Sequence, residues 1–380
     1  MSSQKRVAVY RQEYLRASET FVREHVRSLR RYRPTLLTSN LLAGSTAPDG
    51  VPLVVAGRRP AERLAARLDP RRRGDELRRQ ERALARALRR IGPDLLHVHF
   101  GADAAVVVRV AHELGLPMVV TWHGYDATRL PAALRQSAAG RLLLERRQEV
   151  LSCSRRTIAV SGYLAAALER HGADPRRLRT VPCGVDTEAF GWSEVPAGGP
   201  LLFVGRLVEK KGLADLLSAL ARVPDAPPLV VVGDGGLRAE LQAQSERLGV
   251  DARFLGAQPA ERVRTAMREA RVVVMPSKRA ADGDCEGMPV VSVEAAASGR
   301  PVVAYAHSGL TESVQDGHTG LLVPEGDVDG LRDALSSLLA DPERQAEMGR
   351  AARRLAVAHF DLRRTTGRIE DVYDEVLAGG

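Results

Sequence analysis

Cysteine, lysine, aromatic residues and long apolar runs are all scarce in this chain of 380 residues. Its three cysteines are an odd number without metal-ligand spacing, which argues against a disulfide framework and for a reducing cytoplasm. No apolar run approaches the roughly 20 residues that cross a bilayer, and no signal-like segment precedes the first predicted strand. We therefore expect a soluble, cytoplasmic protein that at most touches the inner membrane surface.

Because lysine is so rare, the positive charge is carried by arginine. The formal net charge is +9, and residues 58–90 alone hold thirteen arginines against five acidic residues. Leucines recur there at roughly helical spacing, which predicts two amphipathic helices with arginine faces. Two interpretations stay open: a solvated helical face, or a surface that contacts anionic lipid or a polyanion such as nucleic acid.

The chain is longer than a single hydrophobic core usually supports, so two domains are expected. Apolar strand segments alternate with helical ones along both halves, including the strands Leu95–His99, Met118–Trp122 and Leu201–Val204. This alternation is typical of the α/β doubly wound class, with parallel sheets whose strand ends line a central cleft. The predicted domains are residues 1–193, together with a closing helix 356–380, and residues 194–355.

The segment 282–303 places two carboxylates, Glu286 and Glu294, eight positions apart around the start of an apolar helix. Pro289 fits the first turn of that helix, where a missing N–H costs nothing. Three residues would offer backbone amides to an anion at the helix start: Gly287, Met288 and Val290. Acids that accept hydroxyls beside an anion-binding backbone suit a nucleotide-sugar.

A second anion-binding element follows the strand Leu201–Val204. Gly205 allows a sharp turn close to a ligand, and Arg206 and Lys211 flank the next helix start, where fixed cations can meet a diphosphate. With cations in the phosphate role and no third ligand evident, the Asp282-Gly-Asp284 sequence is interpreted as a polar loop and no metal site is predicted.

At these residues the chain resembles the retaining glycosyltransferases of family 4, which have the GT-B architecture. The similarity covers essentially the whole chain and includes Gly205-Arg206 with Lys211-Gly212, Glu286-Gly287-Met288-Pro289 through Glu294, and His123-Gly124-Tyr125-Asp126. The resemblance implies two Rossmann-like domains facing a cleft and a C-terminal helix that crosses back to the first domain. It also implies metal-independent transfer with retention and no cofactor.

The resemblance assigns roles to single residues. Counterparts of Arg206 and Lys211 neutralise the diphosphate, that of Glu294 accepts ribose hydroxyls, and that of Glu286 contacts the transferred sugar with amides after Gly287. The counterpart of His123 lies beside the sugar. The predicted catalytic residues are therefore His123, Arg206, Lys211 and Glu286. The predicted donor-binding residues are Gly205, Arg206, Lys211, Glu286, Gly287, Met288, Pro289, Val290 and Glu294.

The acceptor site is predicted from the first half of the chain. His97 and His99 are expected to point to opposite faces of the sheet, and His99 is the preferred acceptor contact. Asp126 either orients His123 or binds the acceptor, with a simple helix cap as the structural alternative. Residues 11–21 lack the glycine-rich loop of many family members. Their Ser18-Glu-Thr-Phe sequence resembles a subgroup that makes exopolysaccharides or decorates natural products, including aminocyclitols. The predicted acceptor-binding residues are Glu13, Glu19, Thr20, His99 and Asp126.

The resulting hypothesis is transfer of a hexosyl group, N-acetylglucosaminyl included, from a UDP- or GDP-sugar to a hydroxyl of a small-molecule acceptor. One alternative is a lipid-linked or exopolysaccharide acceptor at the membrane surface, which the arginine-rich segment would help to reach. A different class also remains, a basic protein that binds nucleic acid or anionic lipid through residues 58–90. For the transferase, a nucleotide-sugar and a hydroxylated acceptor are expected as partners, and nucleic acid is not.

Overall fold

The structure is a computed structural model that describes residues 4–14, 20–42, 45–57 and 73–379, with backbone alone for 73–75. It divides into two compact units. The first comprises residues 1–182 and 363–380, and the second comprises residues 183–362. Glu19 and residues 58–72 of the arginine-rich segment lie outside the described residues.

The first unit contains a parallel sheet with the order β3-β2-β1-β4-β5-β6-β7 among its described strands. Every residue of β4 and β5 is buried, as expected for central strands covered on both faces by helices. The strands are β1 (Arg6–Tyr14), β2 (Arg33–Leu41), β3 (Leu53–Val55), β4 (Leu95–His99), β5 (Met118–Trp122), β6 (Arg156–Ala159) and β7 (Leu178–Thr180).

Helices connect these strands, and a C-terminal helix completes the unit. Serine caps start two of them: the Ser137 and Ser161 hydroxyls accept from the amides of Gly140 and Leu164. The helices are α1 (Thr20–Ser28), α2 (Arg73–Ile91), α3 (Gly101–Glu113), α4 (Tyr125–Thr128), α5 (Pro131–Leu134), α6 (Ala138–Cys153), α7 (Gly162–Arg170) and α15 (Leu362–Ala378).

The second unit contains a parallel sheet with the order β10-β9-β8-β11-β12-β13. This is the doubly wound order of a dinucleotide-binding fold, in which the strand order reverses between the first and fourth strands. The strands are β8 (Leu201–Val204), β9 (Leu229–Val232), β10 (Ala252–Gly256), β11 (Val272–Met275), β12 (Val302–Tyr305) and β13 (Gly320–Val323).

The helices of the second unit cover its sheet, and α8, α13 and α14 contribute leucines and Met348 to the core. They are α8 (Leu213–Leu220), α9 (Arg238–Leu248), α10 (Ala260–Glu269), α11 (Val290–Ala297), α12 (Leu310–Ser313), α13 (Val328–Leu339) and α14 (Pro342–Leu355), with a 3-10 turn at Glu209–Lys211 and a π-helical turn at Ala356–Phe360.

The division between the units differs from the predicted boundary at 193/194. Residues 183–193 belong to the second unit, because Val185 pairs with Asp361 and Trp192 packs on Gly299. The segment 356–380, predicted as one closing helix, is divided between the two units. Residues 356–362 stay with the second unit, and the rest of α15 packs in the first.

Candidate active site

In the second unit, the candidate donor site starts at the point where the strand order reverses. β8 lies between β9 and β11, and Gly205 and Arg206 follow directly at its carboxyl end. The backbone is tightly packed there: a side chain at Gly233, whose φ is +139°, would lie 1.8 Å from the Gly205 carbonyl oxygen. Arg206 is exposed at this edge, which is where open α/β sheets bind ligands.

The 3-10 turn after β8 brings two consecutive lysines into the site. It ends at Gly212, which has a left-handed φ of +67° and approaches the Pro276 backbone so closely that a Cβ would lie 1.9 Å from the carbonyl oxygen. Lys210 is 8% exposed, and its Nζ lies 2.9 Å from Oδ1 of Asp284 and 3.8 Å from Oε1 of Glu286. The adjacent Lys211 Nζ lies 3.0 Å from the same Glu286 oxygen.

These residues form one buried cluster, which we call the lysine–carboxylate cluster: Lys210, Lys211, Asp284 and Glu286. Burial raises the pKa of Glu286, but the ammonium groups of Lys211 and Lys210 outweigh it, and the pKa falls to about 2. Arg206 contributes in the same direction. Glu286 is therefore ionised at neutral pH. Sequence reasoning missed Lys210, although its place beside Lys211 in a tight turn was a usable indication.

Glu294, on the same segment, has a raised pKa, whereas that of Glu286 is lowered. It lies on α11, which begins after Pro289, so the amides of Val290 and Val291 have no acceptor within the helix. The Glu294 side chain is only partly exposed, and desolvation raises its pKa to about 7, against the opposing charges of Arg264 and Lys211. This carboxyl can therefore exchange a proton near neutral pH when a ligand arrives.

The Gly287-Met288 backbone lies against the turn after β12. A side chain at Gly309 would lie 2.1 Å from the Gly287 carbonyl oxygen, so the turn requires glycine there. Close backbone contact thus holds the residues that precede α11 in a fixed position.

The carboxylates of Asp282 and Asp284 contact other groups of the protein. Oδ1 of Asp282 accepts a hydrogen bond from the Asp284 amide at 2.9 Å, and Asp284 pairs with Lys210. Asp284 thus balances the charge of Lys210.

In the first unit, the turn after β5 carries His123 and is held by Asp126. Oδ1 of Asp126 accepts from the amides of His123 and Gly124 at 3.3 and 3.0 Å, and Oδ2 accepts from the Gly101 amide at 2.8 Å. Its side chain is fully buried. Of the two roles predicted for Asp126, the geometry favours orienting His123 and argues against contact with an acceptor.

His123 packs against two aromatic rings at the carboxyl end of β5. Its ring centroid is 4.6 Å from that of Phe21 and 4.5 Å from that of Phe100. Phe100 adopts a φ of +74°, an uncommon conformation for a residue other than glycine. Burial, reinforced by the positive charge of Arg11, lowers the pKa of His123 to about 3, so the ring is neutral.

The expectation that His97 and His99 point to opposite faces is wrong. Their ring centroids are 4.6 Å apart on one side of the sheet. Side chains alternate between faces with a period of two, so residues two positions apart share a face. His99 is 2% exposed and bonded on both ring nitrogens, to His25 at 3.1 Å and to His123 at 3.0 Å. The predicted direct contact of His99 with an acceptor is therefore not supported by the geometry.

Six side chains of the first unit form a continuous hydrogen-bonded series, which we call the histidine chain: Thr121, His97, Tyr373, His25, His99 and His123. His25 lies on α1 and Tyr373 on α15, so elements that are far apart in sequence supply it. Sequence reasoning did not single out either residue, and no local pattern could have paired them.

The remaining predicted acceptor residues that the structure describes lie near the amino terminus of the chain. Glu13 is half-buried on β1, and Thr20 is half-buried as the first residue of α1. Their proposed contact with an acceptor stays a prediction.

Two Rossmann-like units, one with a cationic turn at its strand switch point, define a GT-B nucleotide-sugar glycosyltransferase. Two family models match the chain: Glycosyltransferase Family 4 over residues 18–189 and Glycosyl transferases group 1 over residues 198–355. The chain belongs to the family 4 glycosyltransferases.

Two curated relatives differ in their acceptors. The chain is 32% identical over 317 residues to a D-inositol 3-phosphate glycosyltransferase of Segniliparus rotundus, covering 75% of this chain and 67% of that protein. It is 35% identical over 234 residues to a GDP-mannose-dependent alpha-(1-6)-phosphatidylinositol monomannoside mannosyltransferase of Mycolicibacterium smegmatis, covering 56% of this chain and 60% of that protein.

A solved structure agrees with the fold. Alr3699/HepE of Anabaena, in complex with UDP, matches with a TM-score of 0.77 at 19% identity, over 98% of this chain and 100% of that one. Among the described helices, none combines the length and apolar character that crossing a membrane requires.

Proposed function

We propose that this enzyme transfers a hexosyl group from a UDP- or GDP-sugar to a hydroxyl of a small cyclitol-like acceptor, with retention of configuration. The observation that carries the proposal is the lysine–carboxylate cluster beside Arg206 and the start of α11. Similarity to a D-inositol 3-phosphate glycosyltransferase supports the acceptor class, because inositol and aminocyclitols share a polyhydroxylated ring.

The chemistry of the cluster suits a diphosphate leaving group, where negative charge develops as the glycosidic bond breaks. Arg206, Lys210 and Lys211 carry three positive charges against two on Asp284 and Glu286, which leaves one positive charge in excess. An ammonium has three N–H donors, so Lys211 can keep its contact with Glu286 and still donate to a phosphate. We assign Glu286 to the transferred sugar and Glu294 to the ribose hydroxyls.

Retention and independence of metal are part of the proposal. The leaving phosphate would itself assist the acceptor proton on the same face of the sugar, and the protein cations would take the place of a divalent ion. Two measurements test this. The anomeric configuration of the product should match that of the donor by NMR, and transfer should persist after dialysis against EDTA. A product with inverted configuration would contradict retention. Activity that is lost in EDTA and restored only by added metal would contradict independence of metal.

A donor panel followed by an acceptor panel tests the substrates. We expect slow hydrolysis of one UDP- or GDP-sugar without acceptor, and faster turnover with inositol phosphates or aminocyclitols. The Glu294→Ala variant should bind that donor at least tenfold more weakly in calorimetry, since it loses the ribose acceptor. An unchanged affinity would remove the ribose assignment.

A lipid-linked acceptor is the second candidate. Helix α2 exposes arginines on one face, among them Arg82, Arg86 and Arg89 at spacings of four and three residues. The relative that acts on a phosphatidylinositol monomannoside supports this candidate. Such a face can bind anionic lipid through charge and the adjacent apolar positions.

Co-sedimentation with phosphatidylglycerol vesicles at low salt tests the second candidate. The Arg82→Glu/Arg86→Glu variant should lose vesicle binding, whereas the exposed pair Arg247→Glu/Arg268→Glu, with the same change in charge, should keep it. Equal loss in both variants would indicate a nonspecific effect of net charge. Binding to DNA but not to vesicles would instead favour the nucleic-acid-binding class.

A further inference from the structure

The histidine chain links a buried threonine to His123 through an unbroken series of hydrogen bonds. The Thr121 hydroxyl lies 2.8 Å from Nε2 of His97, whose Nδ1 lies 2.6 Å from the Tyr373 hydroxyl. That hydroxyl lies 3.4 Å from Nε2 of His25. From there the series continues through His99 to Nε2 of His123, with distances of 3.1 and 3.0 Å.

The members before His123 are buried and uncharged. His25, His97 and His99 are at most 4% exposed, as are Thr121 and Tyr373. Burial lowers the pKa of His25 to about 4 and holds the pKa of both His97 and His99 well below the usual range. A neutral imidazole has one N–H donor and one bare nitrogen acceptor. Each ring must therefore accept on one side and donate on the other.

Two proton arrangements run in one direction along the whole series. Either every hydrogen bond points from Thr121 toward His123, or every one points from His123 toward Thr121. In the first arrangement Nε2 of His123 accepts and its Nδ1 carries the proton. In the second, Nε2 of His123 donates and its Nδ1 is a bare acceptor. A third, in which the Tyr373 hydroxyl accepts from both His97 and His25, would leave the buried Tyr373 proton without an acceptor.

The buried end of the series selects between the two arrangements. Among the residues that the structure describes, the Thr121 hydroxyl has one hydrogen-bonding partner, Nε2 of His97. If His97 donated to it, the hydroxyl proton would be buried without an acceptor, which is costly. If Thr121 donates instead, every buried polar hydrogen in the series has an acceptor, and the hydrogen left over is the one on Nδ1 of His123, at the half-buried end. The proton order therefore runs outward, toward His123.

We propose that the histidine chain holds His123 as the tautomer with its proton on Nδ1, so that a neutral imidazole offers a hydrogen-bond donor to a sugar hydroxyl. Thr121 is then a positioning residue, as are the intervening members, because they act through His123. The role of His123 toward sugar rests on the proposed function, whereas the tautomer assignment does not. Tilted packing against both Phe21 and Phe100 limits rotation of the ring and preserves the direction of that donor.

A metal ion is the competing occupant of this cluster. The ligand atoms of His25, His97 and His99 lie within 4.8 Å of one another, and all three rings are buried. However, both nitrogens of each ring already have hydrogen-bonding partners in the histidine chain. A divalent ion would displace these bonds and place charge in a buried site whose ligands are neutral. The hydrogen-bonded arrangement is therefore the one that the geometry favours.

The test is 15N NMR of histidine-labelled full-length enzyme, with the His123 signals assigned through the His123→Gln variant. We expect a pyrrole-like shift at Nδ1 and a pyridine-like shift at Nε2. In Thr121→Val, which keeps the side-chain shape but removes the first donor, the two signals should move toward averaged values. The control is Tyr32→Phe, which removes a different buried hydroxyl, one bonded to Asp374 at 2.6 Å, and should leave them unchanged.

Activity gives the second measurement. With the best donor, Thr121→Val should lower kcat about tenfold and change the donor KM less than about twofold, since one hydrogen bond to the sugar is misdirected. Tyr373→Phe, which breaks the series at its middle, should act in the same way and replaces Thr121→Val if that variant does not fold. Tyr32→Phe should keep the wild-type kcat.

Three results would overturn the proposal: a proton on Nε2 of His123 in the wild type, signals unchanged in both chain variants, or stoichiometric metal in the purified enzyme. Because the spectra need no substrate, they remain interpretable if the donor and acceptor panels show no transfer. In that case the proposed function fails and the tautomer assignment stands.

Discussion

At the scale of single residues, two glutamates eight positions apart in the chain have opposite protonation behaviour. Glu286 lies beside two buried ammonium groups, which hold its pKa at about 2. Glu294 lacks an ion pair of that kind among the described residues, and desolvation raises its pKa to about 7. The difference suits a division of labour. In the proposed function, a permanent anion would balance the lysines that meet the diphosphate, and a proton-exchanging carboxyl would meet the neutral ribose.

Donor binding should therefore depend on pH through Glu294. Ribose hydroxyls donate best to the ionised carboxylate, so binding favours the deprotonated form and releases a proton near pH 7. Calorimetry with the nucleotide-sugar should show affinity highest above pH 8. Affinity should fall by up to about tenfold for each pH unit below 7. The heat of binding should also vary with the ionisation enthalpy of the buffer.

The Glu294→Gln variant is the matched control for this pH effect. It keeps the shape of the side chain and one hydroxyl acceptor but cannot ionise. We expect weaker binding overall and a flat profile between pH 6 and pH 8. A profile in the variant as steep as in the wild type would assign the proton to another group.

Glu286 should stabilise the fold at neutral pH. Its folded pKa of about 2 lies below the ordinary value of 4.5, so its stabilisation is present above pH 4.5 and is lost as the pH falls toward 2. Glu286→Gln leaves Lys210 and Lys211 poorly compensated and should lower the free energy of unfolding by about 3 kcal/mol at pH 7. Urea unfolding measures this, with the exposed Glu347→Gln as control. Equal effects of the two variants would contradict the ion-pair account.

At the scale of elements, long apolar runs in the sequence predict the buried strands well, whereas short or charged elements are harder to predict. The strands β4, β5 and β8 begin and end where the apolar runs of the sequence predict, since strands buried on both faces need uninterrupted apolar residues. The sequence pattern does not reveal β7, α6 or α14. β7 is only three residues long, and α6 and α14 carry many charged residues along their length.

Gly212 tests the turn that carries the lysines. Gly212→Ala combines a left-handed φ with a clash against the Pro276 carbonyl. It should lower the free energy of unfolding by more than about 1 kcal/mol and weaken donor binding. Gly326→Ala is the matched control, because Gly326 has a φ of +81° but nothing within 4 Å of a new Cβ. It should cost only the conformational strain and leave donor binding unchanged. Equal donor affinity in both variants would show that this turn does not contribute to donor binding.

At the scale of the whole molecule, the first unit is completed by the end of the chain. Val372, Tyr373 and Val376 of α15 lie in the core of the first sheet, and Arg31 donates to Glu370 and Asp374 of the same helix. The histidine chain also passes through Tyr373. Both the core of this unit and the setting of His123 therefore depend on residues about 270 positions downstream of His97 and His99.

Fragments should show this dependence. Residues 183–362 have their own core and paired ends, Val185 with Asp361, so this fragment should fold alone and retain weak binding of the nucleoside diphosphate. Residues 1–182 expose the α15 docking surface and should aggregate. Joining residues 361–380 to them through a Gly/Ser linker should restore a cooperative unfolding transition. A stable, monomeric 1–182 fragment would refute the structural role of α15.

The sequence by itself determined the fold class, the parallel strands, the family and the cationic turn and acidic helix of the candidate donor site. All of these are local: a buried strand, a glycine turn and a helix start are each encoded by neighbouring residues. Tertiary structure alone decided which groups meet across distance. Lys210 pairs with Asp284, His25 and Tyr373 join His99 in one series, and Asp126 holds the His123 loop. Such contacts depend on how elements pack, and no spacing along the chain records that packing.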